Sequence, residues 1–343
     1  MRLLIVVGAL LVTFAGYARG APVAWLTPFA PQRLPSGELS RRWVKLAEDP
    51  LGNPIGVPVL AIRGASAGKT LCVTAALHGN EVNGVRVVQQ LLTAIAPQAV
   101  RGTLIGVPVV DVVALERHQR RFIDHEDLNR LFPGDPRGNR SKRFVALLFE
   151  RLLRRCDAIV DLHSASFGRI NSLYVRADLK QPQLARLAAS VGADIILHSP
   201  PVGPGAHTLR AEAKRRKMTA LTIELGDPQV FQPKIIARGV AATLRIANQL
   251  GLIATAPPWN GPKAIICRRS FWIYTDGGGF LELQTSLGQR VARGQRIATQ
   301  FDAFGRQTRS YFAPQAGVVI GQSSNPVNMS GGRIIHLGIV GQP

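Results

Sequence analysis

The sequence predicts an α/β protein with a mixed or mostly parallel central sheet, followed by a small β domain. In the first part, short apolar runs typical of buried strands alternate with segments whose apolar residues recur at helical spacing. Beyond a proline-rich stretch at 256–262, no helical spacing remains, and short strand-like pieces are separated by glycines. The chain of 343 residues, 46% of them hydrophobic, is long enough to bury a sizeable core.

The predicted elements of the first part follow one another directly. An apolar run at 71–77 predicts a buried strand, and apolar residues at Val85, Val88 and Leu92 predict a helix over 81–95. Ser141 is a suitable N-cap for a helix over 141–155. The remaining elements alternate in the same way, with strands over 103–110, 158–163, 172–176, 194–198 and 219–225, and helices over 182–191 and 233–250.

The N-terminus has the pattern of a secretory signal peptide over residues 1–20. Arg2 supplies a positive charge, an apolar stretch covers 3–17, and small residues precede Ala21. The stretch is shorter than the ~20 residues that span a bilayer, which favours cleavage over an uncleaved anchor. No cysteine follows it for lipid attachment, and no later segment is typical of a membrane span. We therefore expect a periplasmic or secreted protein with no stable membrane insertion after cleavage.

The net charge indicates which kinds of partner the protein favours. A formal net charge of +21 favours acidic partners, such as anionic substrates, envelope polymers or phospholipid surfaces. The arginine pairs are isolated and have no aromatic residues between them, so we expect no nucleic-acid partner.

Cys72 and Cys156 lie in apolar or helical runs and are predicted to be core residues. Three cysteines at these spacings form no disulfide framework, and we expect no essential disulfide.

Polar residues follow two of the predicted strands in a pattern typical of a zinc site. His78 and Glu81 lie three residues apart across a turn that contains Gly79, and His163 ends a later strand. Two histidines and a glutamate leave a fourth zinc position open, as catalytic sites require. In α/β sheets such groups gather at the carboxyl ends of the strands. Asp161 shares a strand face with His163 and can orient its imidazole.

Glu224 is the candidate general base. It lies inside the apolar run 219–225, where a carboxylate is costly unless it has a partner or a chemical role. The structural alternative is a buried salt bridge. The functional interpretation is that Glu224 takes a proton from water and passes it to a leaving amine.

A polar loop supplies candidates for substrate binding. Arg130 beside Asn129 can bind a carboxylate through charge-assisted hydrogen bonds. Arg121 is the candidate to contact the scissile carbonyl and hold the oxyanion, with Arg120 and His118 as competitors for that role. The alternative is a basic surface loop.

Four motifs together resemble the succinylglutamate desuccinylase/aspartoacylase family of the zinc carboxypeptidase superfamily. They are His78-Gly79-Asn80-Glu81, Asp127-Leu128-Asn129-Arg130, Asp161-Leu162-His163 and Ile223-Glu224-Leu225-Gly226. The resemblance covers roughly residues 55–343. It implies a zinc-carboxypeptidase-like mixed sheet flanked by helices in a catalytic domain at 21–256. It also implies a barrel-sandwich-like β domain at 263–343 that shapes access to the site.

The resemblance also implies roles for individual residues. One zinc ion per chain would be held by His78, Glu81 and His163, with Glu224 as the base. Asn129 and Arg130 would bind a substrate carboxylate, and Arg121 would contact the carbonyl. Arg121 stands one residue further from the Asp-Leu-Asn-Arg motif than in aspartoacylase. A tyrosine that assists near the substrate could be any of Tyr174, Tyr274 or Tyr311.

The sequence thus predicts an exported zinc-dependent amide hydrolase that acts on an N-acyl amino acid or a small peptide bearing a carboxylate. The first alternative is a periplasmic metallocarboxypeptidase or amidase that acts on cell-wall peptides. An alternative from another class is a non-catalytic envelope binding protein. The acyl group, the amine side chain and the oligomeric state are left open.

Overall fold

A computed structural model describes residues 23–26, 29–203 and 206–343. The predicted signal peptide at 1–20 lies outside the described residues. Within them, no helix combines the length and the apolar character needed to cross a membrane.

Six α-helices are formed in the described residues, and four short 3-10 turns connect other elements. The helices are α1 (Asn83–Ala94), α2 (Val112–Glu116), α3 (Arg140–Arg151), α4 (Pro182–Ser190), α5 (Leu209–Arg215) and α6 (Pro233–Gln249). The 3-10 turns cover Pro31–Arg33, Pro97–Ala99, Leu128–Arg130 and Leu153–Arg155.

The strands precede, alternate with and then follow the helices. They are β1 (Trp25–Leu26), β2 (Glu38–Glu48), β3 (Pro54–Arg63), β4 (Ser66–Ala75), β5 (Arg101–Val107), β6 (Ala158–His163), β7 (Arg169–Asn171), β8 (Leu173–Ala177), β9 (Ile195–His198), β10 (Thr219–Leu225), β11 (Ile265–Tyr274), β12 (Gly279–Leu283), β13 (Arg290–Val291), β14 (Arg296–Phe301), β15 (Gln307–Phe312), β16 (Gly317–Ser323), β17 (Val327–Asn328) and β18 (Arg333–Val340).

Most of these strands form one large mixed sheet. Its order is β1-β2-β3-β5-β4-β6-β10-β8-β9-β11-β18-β16-β13, with β7 paired to β16. Strands β5, β4, β6 and β10 are parallel neighbours, whereas β8 is antiparallel to β10. The prediction of a mixed sheet flanked by helices and followed by a β region is confirmed.

The C-terminal β region continues this sheet and adds a second one. Strand β11 pairs in parallel with β9, so the large sheet extends past the predicted boundary at 256–262. The second sheet has the order β15-β14-β12-β17. The exact domain limits stay a prediction.

Helices cover both faces of the central strands, which explains the continuous apolar runs in the sequence. Helices α1, α4 and α6 bury one face, with Val88, Leu91 and Leu92 of α1 fully enclosed. Helix α3 covers the other face through Phe144 and Phe149. Because parallel strands are covered on both sides, polar groups reach a cavity only at the strand ends.

The structure corrects the expectation about cysteines. Cys72 and Cys156 form a disulfide, with their Cα atoms 5.8 Å apart and a sequence separation of 84. Cys72 lies in β4, and Cys156 comes just before β6, the strand that pairs with β4. The sequence spacing did not reveal this pair because it depends on which strands are neighbours. Cys267 is free and buried.

Candidate metal centre and active-site cavity

Three adjacent parallel strands bring the predicted chemistry to one edge of the sheet. His163 is the last residue of β6, and Glu224 pairs with it in register from β10. His78 follows β4, the neighbour of β6 on the other side. The carboxyl ends of parallel strands meet at one edge, so residues far apart in sequence come together there.

The turn between β4 and α1 places both His78 and Glu81. The backbone NH of Glu81 donates to the carbonyl oxygen of His78 at 3.1 Å, which closes the turn. A Cβ on Gly79 would lie 2.1 Å from the carbonyl carbon of Ala114, so only glycine fits at this position. Helix α1 packs close to the sheet at Gly84, where a Cβ would lie only 2.9 Å from the Cβ of Leu162.

The three predicted metal ligands converge in the folded chain. Nδ1 of His78 lies 3.0 Å from Oε1 of Glu81, and Nδ1 of His163 lies 2.8 Å from Oε2 of Glu81. The two Nδ1 atoms are 3.2 Å apart. All three side chains are buried. One donor atom from each residue therefore points at a common position, as in a three-ligand zinc site.

Carboxylates hold the outer nitrogen of each imidazole. Nε2 of His78 lies 3.0 Å from Oδ1 of Asp127, and Nε2 of His163 lies 2.7 Å from Oδ2 of Asp161. The hydroxyl of Thr74 donates to the other oxygen of Asp161 at 2.7 Å. These contacts fix the ring orientation and direct Nδ1 of each histidine toward the common position. The orienting role proposed for Asp161 is thus visible, and Asp127 performs the same role for His78.

The charges of Glu81, His163 and Asp161 influence one another strongly. Burial raises the pKa of Glu81, but the imidazoles of His78 and His163 outweigh it and hold that pKa well below its usual range. Burial lowers the pKa of His163, but Asp161 and Glu81 outweigh it and raise that pKa well above normal. The cluster therefore keeps Glu81 ionised, and its donor atoms fit a divalent metal.

Glu224 lies in the wall of the same cavity. Its strand neighbours are His163 of β6 and Tyr174 of β8. Removal from water raises the pKa of Glu224, and the negative charge of Glu81 adds to this effect, although His163 opposes it. No salt bridge to Glu224 forms within the described part of the chain. The salt-bridge alternative is therefore disfavoured, and the carboxylate is free to accept a proton.

The cavity has a volume of about 410 Å³ and is strongly basic. Besides the metal ligands and Glu224, the charged or amide side chains of its wall are Arg120, Asn129, Arg130, Arg169, Asn171, Arg176 and Arg210. The C-terminal β region closes one side with Ser270, Phe271, Trp272 and His336. Both predicted parts of the chain therefore shape the site.

Asn129 and Arg130 line the cavity, where the sequence placed them. Oδ1 of Asn129 accepts a hydrogen bond from the backbone NH of Leu209 at 2.9 Å, which ties the loop to the start of α5. Nη1 of Arg130 donates to the carbonyl oxygen of Asn129 at 2.8 Å. The guanidinium has no carboxylate partner among the described residues, so it can bind an anionic ligand.

The position of Arg121 differs from the prediction. Its Nη1 donates to the carbonyl oxygen of His125 at 3.0 Å, and the exposed side chain is not part of the cavity wall. Arg120 lines the cavity instead, with Nη1 at 2.8 Å from Oε1 of Glu81 and Nη2 at 3.1 Å from Oδ2 of Asp127. Adjacent side chains of this loop face opposite ways. The candidate for contact with the carbonyl is therefore Arg120, which the sequence had named only as a competitor.

Two half-buried arginines were missed by the sequence analysis. Arg176 of β8 and Arg210 of α5 both donate to Oγ of Ser199, at 3.3 and 3.2 Å, and Arg210 also donates to the carbonyl oxygen of Ser199 at 2.6 Å. Burial and the nearby Arg176 lower the pKa of Arg210 to about 10, which leaves it charged at neutral pH. An arginine inside a predicted buried strand, such as Arg176, was the signal that could have identified them.

One of the three candidate tyrosines belongs to the cavity. Tyr174 lines it and lies beside Glu224 in the sheet. The hydroxyl of Tyr311 is bonded to Asp276 and Gln300 in the C-terminal region. Tyr274 and Tyr311 are not in the cavity wall, so Tyr174 is the tyrosine placed to assist near a substrate.

Comparison with known proteins identifies the family. The family model for the succinylglutamate desuccinylase/aspartoacylase catalytic domain matches residues 67–250. The chain belongs to this family, whose members include hydrolases that remove acyl groups from amide nitrogens.

Individual relatives extend the likeness over most of the chain. N-alpha-acetyl-L-2,4-diaminobutyric acid deacetylase from Halomonas elongata is 27% identical over 279 residues, which are 75% of this chain and 76% of that protein. The product-bound ectoine utilization protein EutE (DoeB) from Ruegeria pomeroyi has a TM-score of 0.79 at 21% identity, covering 88% of this chain and 95% of that one. A succinylglutamate desuccinylase from Silicibacter sp. has a TM-score of 0.80 at 21% identity, covering 92% and 98%. These two likenesses show the fold.

Proposed function

We propose that the protein is an exported, zinc-dependent amide hydrolase that removes the acyl group from an N-acyl amino acid or a small peptide bearing a carboxylate. The observation that carries this proposal is the convergence of His78, Glu81 and His163 beside Glu224, in a cavity rich in arginine. The 27% identity to a deacetylase of an N-acetylated amino acid supports the reaction class.

The donor set fits zinc. Two imidazole nitrogens and one carboxylate are a common catalytic set for zinc, and the carboxylates behind the two rings strengthen it. His78, Glu81 and His163 would hold one ion per chain. A zinc ion in this position would supply Lewis-acid chemistry at the scissile amide.

Glu224 carries the proton transfers in this proposal. Its carboxylate takes a proton from the attacking water, whose oxygen forms a bond to the carbonyl carbon. It then passes the proton to the nitrogen of the leaving amine as the C–N bond breaks, which gives a free carboxylate and a free amine. The raised pKa of Glu224 suits both steps, because it brings the proton affinity of the carboxylate closer to neutral pH.

The arginines explain substrate orientation. Arg130 and Asn129 bind the carboxylate on the amine side of the substrate, and Arg120 faces the carbonyl oxygen as negative charge develops there. Substrates without an anionic group would lose these contacts. A small anionic substrate is therefore favoured.

The test combines metal analysis with a substrate panel. Purified protein is expected to contain one zinc per chain and to hydrolyse at least one N-acetyl or N-succinyl amino acid. Chelation should abolish turnover, and added zinc should restore it. Absence of both metal and turnover, including turnover of cell-wall peptides, would leave the non-catalytic binding protein as the better explanation.

Two features support export. Residues 1–20 have the pattern of a signal peptide, and the Cys72–Cys156 disulfide is of a kind that persists in oxidising compartments. Fractionation of cells that express the full chain should place the protein outside the cytoplasm, with a mature N-terminus at Ala21. Recovery of an intact N-terminus in the cytoplasmic fraction would contradict export.

A further inference from the structure

A second cavity adjoins the active-site cavity. Its volume is about 480 Å³, and Arg169 belongs to the walls of both. The other lining residues come from the loop after His163, from the segment after β10 and from the segment after β16: Phe167, Gly168, Ile170, Asp227, Pro228, Gln229, Ser324 and Asn325. The two cavities therefore meet at Arg169.

Phe167 is the most exposed feature of the second cavity. Its side chain is 76% exposed, although it lies only four residues after the ligand His163. Its ring offers an apolar surface of the kind that lines small-molecule sites. The loop is held in place from behind, because the backbone NH of Ser324 donates to the carbonyl oxygen of Gly168 at 3.0 Å.

The polar groups of the second cavity have both donor and acceptor character. Asp227 is its one carboxylate and Arg169 its one cation, while Gln229 and Asn325 supply amides. Nε of Arg169 is buried without a hydrogen-bond partner among the described residues. Asp227 already accepts a hydrogen bond from Nε2 of Gln232 at 2.9 Å, but this neutral partner leaves its negative charge available to a ligand ammonium, which an alkyl chain could not match.

Size and position indicate which part of a substrate would enter. Each cavity alone falls within the roughly 300–1,000 Å³ typical of small-molecule sites. An acetyl group that fits the first cavity would leave the second one unused. The second cavity shares none of its lining with Asn129 and Arg130, which bind the amine-side carboxylate in the proposed function. The acyl side of the substrate therefore points toward it.

We propose that the second cavity is a subsite for an aminoacyl group, so that the preferred substrate is a short peptide with a free amino terminus. The inference rests on the proposed hydrolase function and specifies its acyl group. The side chain of the acyl residue packs on Phe167, its ammonium faces Asp227, and Arg169 lies where the two cavities meet. Water cleaves the amide bond, which releases the aminoacyl group as a free amino acid and leaves a free amino group on the remainder of the peptide.

The experiment compares acyl groups on one amine. N-acetyl, N-succinyl and L-phenylalanyl derivatives of glutamate, alanine and 2,4-diaminobutyrate are assayed for kcat/KM with the zinc-loaded protein. Phe167→Ala removes the apolar contact, and Ser324→Trp fills the cavity from an exposed position. Phe304→Ala is the matched control, because Phe304 is 85% exposed in the β14–β15 turn, outside both cavities.

The expected result is a kcat/KM at least tenfold higher for the phenylalanyl than for the acetyl derivative of the best amine. Phe167→Ala and Ser324→Trp should each lower that ratio roughly tenfold, whereas Phe304→Ala should not change it. A preference for acetyl or succinyl, or a ratio that neither variant alters, would overturn the subsite and leave the hydrolase function intact. Absence of turnover for every compound would overturn the hydrolase function and the subsite with it.

Discussion

The metal end of the cavity and its arginine end differ in how their charges are compensated. At the metal end, formed by His78, Glu81 and His163, each imidazole is held by an aspartate within 3.0 Å. At the arginine end, formed by Arg169, Arg176 and Arg210, no guanidinium has a carboxylate within salt-bridge distance in the described part of the chain. Their hydrogen bonds go to neutral groups such as Ser199.

This difference indicates which charges the folded protein already pairs and which charges a bound ligand would pair. Buried charge is costly unless it is paired, and the donors of the metal end are already paired or oriented. The arginine end keeps positive charge that no salt bridge among the described residues neutralises, and Arg169, Arg176 and Arg210 come from separate elements of the sheet and helices. A substrate that brings negative charge would therefore remove an electrostatic cost as it binds, which favours anionic over neutral substrates.

The largest effect is expected from Glu224→Gln at the metal end. The amide keeps the shape of the side chain but cannot accept the proton of water, so kcat should fall roughly 10²–10⁴-fold. In the unchanged protein, kcat/KM should fall as the pH drops below the pKa of Glu224, which is raised above its usual value, because the base is then protonated. Steady-state kinetics over a pH series would show this decrease of kcat/KM at low pH.

Metal content is the control for that variant. Glu224 is not one of the three converging ligands, so Glu224→Gln should bind zinc as tightly as the unchanged protein. A variant that retains its rate would remove Glu224 as the base. A variant that loses zinc would show that Glu224 supports the metal end in another way.

The next effect concerns the carboxylates behind the histidines. Asp161→Asn removes the charge that orients His163 and should weaken zinc binding about 10–100-fold. Competition with a chelator of known affinity measures this change. Asp178→Asn is the matched control, because Asp178 is also buried but bonds to Gln181 and Lys214 away from the metal end. Equal losses of affinity in the two variants would contradict a specific role for Asp161.

A smaller effect is expected at the arginine end. Arg210→Gln removes one charge and should raise KM for an anionic substrate roughly tenfold, the equivalent of about 1.4 kcal/mol, with little change in kcat. Arg86→Gln is the control, because Arg86 is exposed on α1 and outside the active-site cavity. If zinc affinity fell and KM did not rise, the two ends would not be separate in function.

The sequence predicted the metal end well and the arginine end poorly, for physical reasons. His78, Glu81 and His163 lie at strand ends, where local patterns place them without further knowledge. Arg176 and Arg210 reach the cavity only because β8 lies beside β10 and α5 packs against that strand. Such neighbours are set by topology, which a single sequence does not specify.

The direction in which side chains point was the second property that the sequence could not predict. Arg120 and Arg121 are adjacent residues of the same type, so the sequence does not distinguish them. Only the folded loop shows that Arg120 faces Glu81. The Cys72–Cys156 pair was missed because the pairing of β4 with β6 was unknown. The fold class needed only the alternation of apolar runs and helical spacing, and it was predicted correctly.

The smallest effect on turnover is expected from removal of the disulfide. Cys72→Ala combined with Cys156→Ala should lower the free energy of unfolding by about 2–4 kcal/mol, because the bond restricts the unfolded chain. The metal end should keep its geometry, since hydrogen bonds to Asp127 and Asp161 hold its histidines independently. Urea unfolding and kcat/KM at 25 °C measure the two quantities, and Cys267→Ala is the control that removes a cysteine without breaking a bond. If kcat/KM fell in the double variant but not in Cys267→Ala, the disulfide that joins β4 to the start of β6 would itself be positioning the ligands. The metal end would then depend on covalent support that the arginine end does not have.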